Sequence, residues 1–346
     1  MTNTPGTPIL FELGWNSFFG DQLSEDDGRG GQPVRVMSVH RGMVSVAGDG
    51  FQDSISSSVP DSKGSEDRPT VGDWLLIDRD DHGILRILDR TSLFKRPAPG
   101  DDRRLQLIAA NVDTLFVVTS CDQDFNVARL ERYLVLAGEV GVSPVIVLTK
   151  ADLSPDPSAF VEAAQSLQAG VEVRLVNARS AESVAGLADY CRIGATVALV
   201  GSSGVGKSTL VNTLTGSDAT ATQPVREEDG KGMHTTTVRQ MHRIGFGATG
   251  GGWLIDTPGM REIQMSEVSG GVAEVFDDIV AIALQCRFTN CMHNDEPQCA
   301  IRAASAAGTL DPARLARWRK LAGEDEVNSG IAARRRARPR KTRERG

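Results

Sequence analysis

Long apolar runs are missing from this chain of 346 residues. The longest, such as 115–118 and 145–148, have the length of buried strands and fall far short of the roughly 18 residues that cross a bilayer. A membrane-spanning helix is therefore not expected, and the N-terminus lacks the basic start and apolar core of a secretion signal, so a soluble, cytoplasmic protein is. Cysteine is scarce, and five is an odd number that does not suit a disulfide framework. Cys121 and Cys191 stand alone in apolar surroundings and read as packing, whereas the other three fall within fourteen residues of one another. Aromatic residues make up 5% of the chain, too few for base stacking to dominate a nucleic-acid contact.

What is present fits two or three domains, because 40% hydrophobic content can fill real cores at this length. The formal charge of −7 hides an asymmetry: residues 333–346 hold eight basic residues and one acid, so the acidity lies in the body and the tail points toward a polyanion. Residues 1–33 are irregular, apart from Ile9, Leu10, Leu13, Phe18 and Phe19, whose spacing suggests a short amphipathic helix. Short strands follow at Val34–Val39, Gly42–Ala47, Trp74–Asp78 and Ile84–Leu88, the pattern of a small β-barrel or sandwich, with a polar mobile loop expected over 52–69. Residues 97–102 read as a linker. Beyond them strands near 114–119, 144–149, 171–176, 197–200 and 253–255 alternate with helices at 127–140 and 158–168, an α/β pattern. After about residue 266 the pattern is helical, with stretches at 272–284 and 312–322 on either side of the cysteine cluster.

Strand 197–200 ends in Gly201-Ser202-Ser203-Gly204-Val205-Gly206-Lys207-Ser208-Thr209 and runs directly into a helical sequence, which fits G-x-x-x-x-G-K-[ST] in its proper context. The glycines let the backbone wrap phosphate with its N–H groups, Lys207 is expected at the β- and γ-phosphates, and Ser208 at Mg²⁺. Further on, Trp253-Leu-Ile-Asp256-Thr-Pro-Gly259 is a buried strand that ends in an acid and a turn. Such an Asp holds Mg²⁺ through water, while the Gly259 amide can sense the γ-phosphate. Thr149-Lys150-Ala151-Asp152 follows strand 144–148 at a strand C-terminus, where α/β folds meet nucleotides. The Asp152 carboxylate can accept both the ring N–H and the exocyclic amine of guanine; adenine offers no such pair. In many small GTPases a Gln after Asp-x-x-Gly orients the attacking water, but here that position is Met260. A thioether cannot do this, so either another residue supplies it or the intrinsic rate is very low; His234, in the segment expected to form switch I, is the best candidate in cis. One hydroxyl of Thr235–Thr237 is expected to cap Mg²⁺.

Cys286-x4-Cys291-x-His293-x5-Cys299 supplies three thiolates and an imidazole, the donor set of a closed, structural zinc site. Candidate phosphate contacts for an RNA partner are Arg35, Arg41, Lys95, Arg96, Arg103 and Arg104.

The order of these elements is unusual, since the base-reading tetrapeptide precedes the phosphate loop. In that order, and in Gln106-Leu-Ile-Ala-Ala-Asn-Val-Asp, Asp124-Phe-Asn-Val-Ala-Arg-Leu-Glu-Arg-Tyr, Lys231-Gly-Met-His-Thr-Thr-Thr and the cysteine cluster, the chain resembles the RsgA (YjeQ) family of circularly permuted GTPases over nearly all of 34–310. The resemblance implies a multidomain fold: an N-terminal extension (1–33), an OB-fold β-barrel that binds RNA (34–97), a circularly permuted α/β P-loop GTPase domain (98–265), a C-terminal α-helical zinc module (266–322) and a basic tail (323–346). It implies a monomeric GTPase that acts with the small ribosomal subunit and 16S rRNA, with subunit-stimulated turnover of GTP to GDP, one structural Zn²⁺ and Mg²⁺ with the nucleotide. Together with spacing it favours Thr236 among the three threonines. The family's second base-contacting loop commonly reads Ser-Ala; here it is Asn177-Ala178, and the Ala178 backbone N–H is the expected contact. Two other readings compete: an RNA-binding scaffold that uses GTP as a conformational ligand, and an ATPase with an incidental Thr149–Asp152.

Overall fold

The computed structural model describes residues 10–25, 27–62, 64, 66–98, 101–216, 239–245, 251–256 and 269–337. His234, Thr236, Gly259 and Met260 lie outside the described residues, as does the end of the basic tail. Among the described residues, no helix is long and apolar enough to cross a membrane.

One mixed sheet runs through the molecule. Its strands are β1 (Gly31–His40), β2 (Met43–Gly48), β3 (Phe51–Ser56), β4 (Trp74–Asp78) and β5 (Ile84–Ile87) in the first part of the chain. The later part adds β8 (Thr114–Ser120), β9 (Ser143–Thr149), β10 (Glu172–Leu175), β11 (Thr196–Val200), β12 (Arg239–Arg243) and β13 (Trp253–Asp256). The order is β10-β9-β8-β11-β13-β12-β1-β2-β3, with β4 and β5 branching from β1. A separate hairpin pairs β6 (Leu93–Ala98) with β7 (Asp101–Ala110). β8 to β11 and β13 are parallel, and the two central ones, β8 and β11, are buried along their whole length, as an apolar run with helices on both faces requires. Those helices are α1 (Val127–Glu139), α2 (Pro157–Gln165) and α3 (Lys207–Thr215), with α4 (Ser269–Val275), α5 (Asp277–Ala283), α6 (Ala300–Ala306) and α7 (Pro312–Ala337) after the sheet.

Several expectations are corrected. Residues 51–56 are a strand rather than part of a mobile loop: Gln52, Asp53, Ser54 and Ser56 face solvent and only Ile55 is buried, the polar make-up tolerated at a sheet edge. The 97–102 linker is instead the end of the β6–β7 hairpin, in register at Pro97↔Leu105 and Ala98↔Asp101. The amphipathic helix near 9–19 is two single turns, Leu10–Leu13 and Ser17–Gly20, separated by Gly14 at φ +94°, where a Cβ would stand 2.5 Å from Gly194 O. The stretch 272–284 is two helices, broken at Phe276.

Arg35 is not a surface contact for RNA. It is 2% exposed and donates through Nε to Gly72 O (3.3 Å) and through a terminal nitrogen to Thr196 Oγ1 (2.8 Å) and Asn111 O (3.3 Å), with a further bond to Leu13 O. Burial pushes its guanidinium down to about 10, against the pull of Asp113 and Asp73. This one side chain ties β1 to the start of β11. Cys121 and Cys191 are buried as expected, and burial pushes their thiols up to about 11 and about 12.

Candidate nucleotide site and zinc module

β11 delivers the chain to the phosphate loop, and two of the loop's glycines are enforced by geometry. Gly201 has φ +147°, and a Cβ there would lie 2.2 Å from Val118 O. Gly206, at φ +90°, is the left-handed residue that opens α3. The loop therefore folds tightly between β8 and the N-terminus of α3, a helix end where an anion is favoured. Lys207 is buried and donates from Nζ to Gly201 O (2.7 Å) and to Ser202 O. Ser208 is half-buried on the first turn of α3.

The tetrapeptide at the end of β9 meets this loop directly. The Thr149 side chain is fully buried and its hydroxyl reaches both Thr119 O (3.1 Å) and Val205 O (2.5 Å), so residues 149–152 and the glycine-rich loop are bonded to each other. Lys150 takes a left-handed backbone, φ +56°, and Asp152 is exposed two residues on, in the turn Ala151–Leu153. Ala178 follows β10; its carbonyl accepts from Thr213 Oγ1 of α3 (2.6 Å), which brings the second loop against the phosphate-loop helix. Asp256 ends β13, the strand beside β11 in register Ala198↔Ile255, on the same sheet edge as the phosphate loop. Thus Thr149–Asp152, Ala178, Gly201–Thr209 and Asp256 gather at the C-terminal ends of the parallel strands, the expected place for a nucleotide in such a sheet.

Two contributors were not singled out from the sequence. Asp122, just past β8, pairs with Lys150 (Nζ to Oδ2, 2.8 Å). Arg129, on the first turn of α1, reaches Ser202 Oγ; its backbone N–H is capped by Asn126 Oδ1 at 2.9 Å. Asn-x-x-Arg does read as a helix start, but nothing local in the sequence tells which loop the Arg meets.

In the C-terminal part, Cys286, Cys291, His293 and Cys299 place one ligand atom each within 4.8 Å of one another. Cys286 Sγ lies 3.5 Å from His293 Nδ1 and 3.9 Å from Cys299 Sγ, and Cys299 Sγ lies 3.6 Å from His293 Nδ1. A tetrahedral zinc with bonds of about 2.3 Å to sulfur and 2.05 Å to nitrogen has edges of about 3.8 and 3.6 Å, which Cys286, His293 and Cys299 match, and Cys291, within 4.8 Å of them, completes the donor set. His293 adopts φ +61°, and its carbonyl accepts from Arg319 of α7 at 2.6 Å while its ring packs on Trp318. The module is anchored to the sheet domain through Glu131 of α1, which is fully buried. Arg317 Nε donates to it at 2.6 Å and Arg314 at 3.4 Å, and Arg314 also holds Asp278 at 2.9 Å.

Comparison with known proteins places the chain in a family. The family model described as RsgA GTPase matches residues 87–266. A protein of Mesorhizobium japonicum named small ribosomal subunit biogenesis GTPase RsgA is 48% identical over 331 residues, 95% of this chain and 93% of that one. Its counterpart from Vibrio parahaemolyticus, RsgA 2 under the same description, is 44% identical and covers 96% and 90%. Among solved structures, YjeQ from Thermotoga maritima superposes with a TM-score of 0.59 at 24% identity, covering 85% of this chain and 98% of that one. YloQ, described as a circularly permuted GTPase, gives 0.56 at 23%, covering 90% and 97%. These two show the fold.

Proposed function

The chain belongs to the RsgA GTPase family, and from that premise we propose that it binds the small ribosomal subunit late in assembly and hydrolyses GTP to GDP and phosphate with turnover stimulated by that subunit. It is a GTP hydrolase of the circularly permuted class. The observation that carries the nucleotide reading is the bond from Thr149 to Val205 O, which joins a base-reading tetrapeptide to a phosphate loop that follows it in the chain. In this reading Asp152 accepts from the guanine edge, Ala178 lines the base, residues 201–209 bind the phosphates, and Gly259 senses the γ-phosphate. Ser208 and Thr236 offer hydroxyls for Mg²⁺, with Asp256 behind them. When bound, that ion neutralises charge on the β- and γ-oxygens.

His234 positions the attacking water, and the stimulation comes from contact between its segment and the subunit. Charge or positioning supplied by a partner is worth roughly 10³–10⁵ in rate in related chemistry. Residues 34–97, with strands β1 to β6, are read as an OB-fold that contacts 16S rRNA, 98–265 as the permuted GTPase domain, 266–322 as the zinc module and 323–346 as a basic tail. Cys286, Cys291, His293 and Cys299 hold one structural zinc. The protein acts as a monomer in the cytoplasm.

The test is turnover of GTP and ATP by the purified protein, with and without small subunits, at two salt concentrations. Slow GTP turnover that rises manyfold with subunits, less so at high salt, is expected. Tight GTP binding with no turnover in any condition would move the chain to the scaffold class.

A further inference from the structure

We propose that Asp122 is a positioning residue of the base pocket and acts through Lys150. The proposal rests on the guanine-nucleotide reading above and extends it to a residue outside the base-reading tetrapeptide. The three side chains of that tetrapeptide that carry polar groups have three different surroundings. Thr149 turns inward to Val205 O, Asp152 is exposed, and Lys150 runs sideways to Asp122.

Asp122 is itself held from three directions. Oδ1 accepts from Ser120 Oγ at 2.7 Å and from the Asp124 N–H at 2.9 Å, while Oδ2 accepts from Lys150 Nζ at 2.8 Å. Partial burial opposes ionisation, but the bonds from Lys150, Ser120 and Asp124 outweigh it and hold the carboxyl below its ordinary value. Lys150 is thereby fixed at both ends: its Cα by the left-handed turn at φ +56°, its ammonium by an ordered carboxylate. The apolar stem between them becomes a rail against which a planar base, bonded edge-on to Asp152, can lie. A lysine left to rotate would lose that freedom on binding, so pinning it beforehand tightens the nucleotide without touching the phosphates.

The expected signature is an effect on KM rather than on kcat. Asp122→Asn keeps an oxygen for Ser120 and the Asp124 amide but presents Lys150 with an amide in place of a carboxylate. It should raise KM for GTP and Kd for GDP about tenfold while kcat changes less than about twofold. Lys150→Met keeps most of the stem and removes the ammonium, so in a double-mutant cycle Asp122→Asn should add nothing in the Met background. An unchanged KM in Asp122→Asn, a fall in kcat alone, or multiplying effects in the cycle would each overturn the proposal. Wild-type protein assayed in parallel separates the two levels. Equal use of GTP and ATP would remove the guanine reading and this proposal with it. A clear GTP preference with a silent Asp122→Asn removes only the role of Asp122.

Discussion

Thr149 and Asp152, three positions apart, have opposite fates: one is fully buried against the phosphate loop, the other exposed where a base edge can reach it. Substituting the exposed member therefore changes recognition without disturbing the core. In Asp152→Asn one acceptor becomes a donor, which mismatches the guanine amine and matches the 2-oxo group of xanthine. The kcat/KM for GTP should fall about a hundredfold or more and that for xanthosine triphosphate should rise, in a steady-state assay with both nucleotides; an unchanged GTP preference would show that the base is read elsewhere. The positions of these residues were legible because each lies where a local pattern places it, at a strand end or in the turn that follows it. Asp122 and Arg35 were not. Asp122 gains its meaning from a lysine 28 positions away, and Arg35 sits in a strand whose neighbours Val34 and Val36 are buried as well, so alternation gave no hint that a guanidinium was enclosed.

At the scale of elements, the zinc module depends on its donors for local order more than on apolar cover. Leu284 and Met292 are largely exposed and the segment 284–299 contains no helix or strand, so the ligand cluster is what organises it. Chelation of zinc should unfold residues 280–305 while GTP binding survives, read by hydrogen exchange alongside nucleotide titration; loss of both together would mean the two parts fold as one. The cysteine spacing announced this module, but the neighbours that seat it, Trp318 and Arg319 on α7, are ordinary surface residues of an amphipathic helix by pattern. The missed strand β3 has the same explanation at another site, since an edge strand with a single buried side chain resembles a polar loop.

For the whole molecule, the buried Glu131 holds the C-terminal helices to α1 through Arg317, Arg314 and, beyond them, Asp278. Removing the carboxylate leaves two guanidinium groups facing each other in a partly closed site. Glu131→Ala should cost about 3 kcal/mol in urea-monitored unfolding and increase exchange across 269–324, whereas a change below about 0.5 kcal/mol would mean the interface is held by its apolar residues alone. Overall layering was readable from the alternation of strands and helices, but the continuity of the sheet was not. Among the described residues the pairing of β12 with β1 spans Ser38↔Gln240 and Val39↔Arg239, between segments about two hundred residues apart, and no local signal encodes it.

The position of β11 in that sheet also sets an order in time. β8 is flanked by β9 and β11, yet 75 residues separate Ser120 from Thr196, and β13 on the far side of β11 comes later still. At synthesis rates of roughly 5–20 residues per second, one edge of the most buried strand waits about 4–15 s for its partner. During that interval the growing chain presents an apolar, unpaired edge. The half of the pocket that reads the base is then already made, while the half that grips phosphate is still inside the machine that makes it.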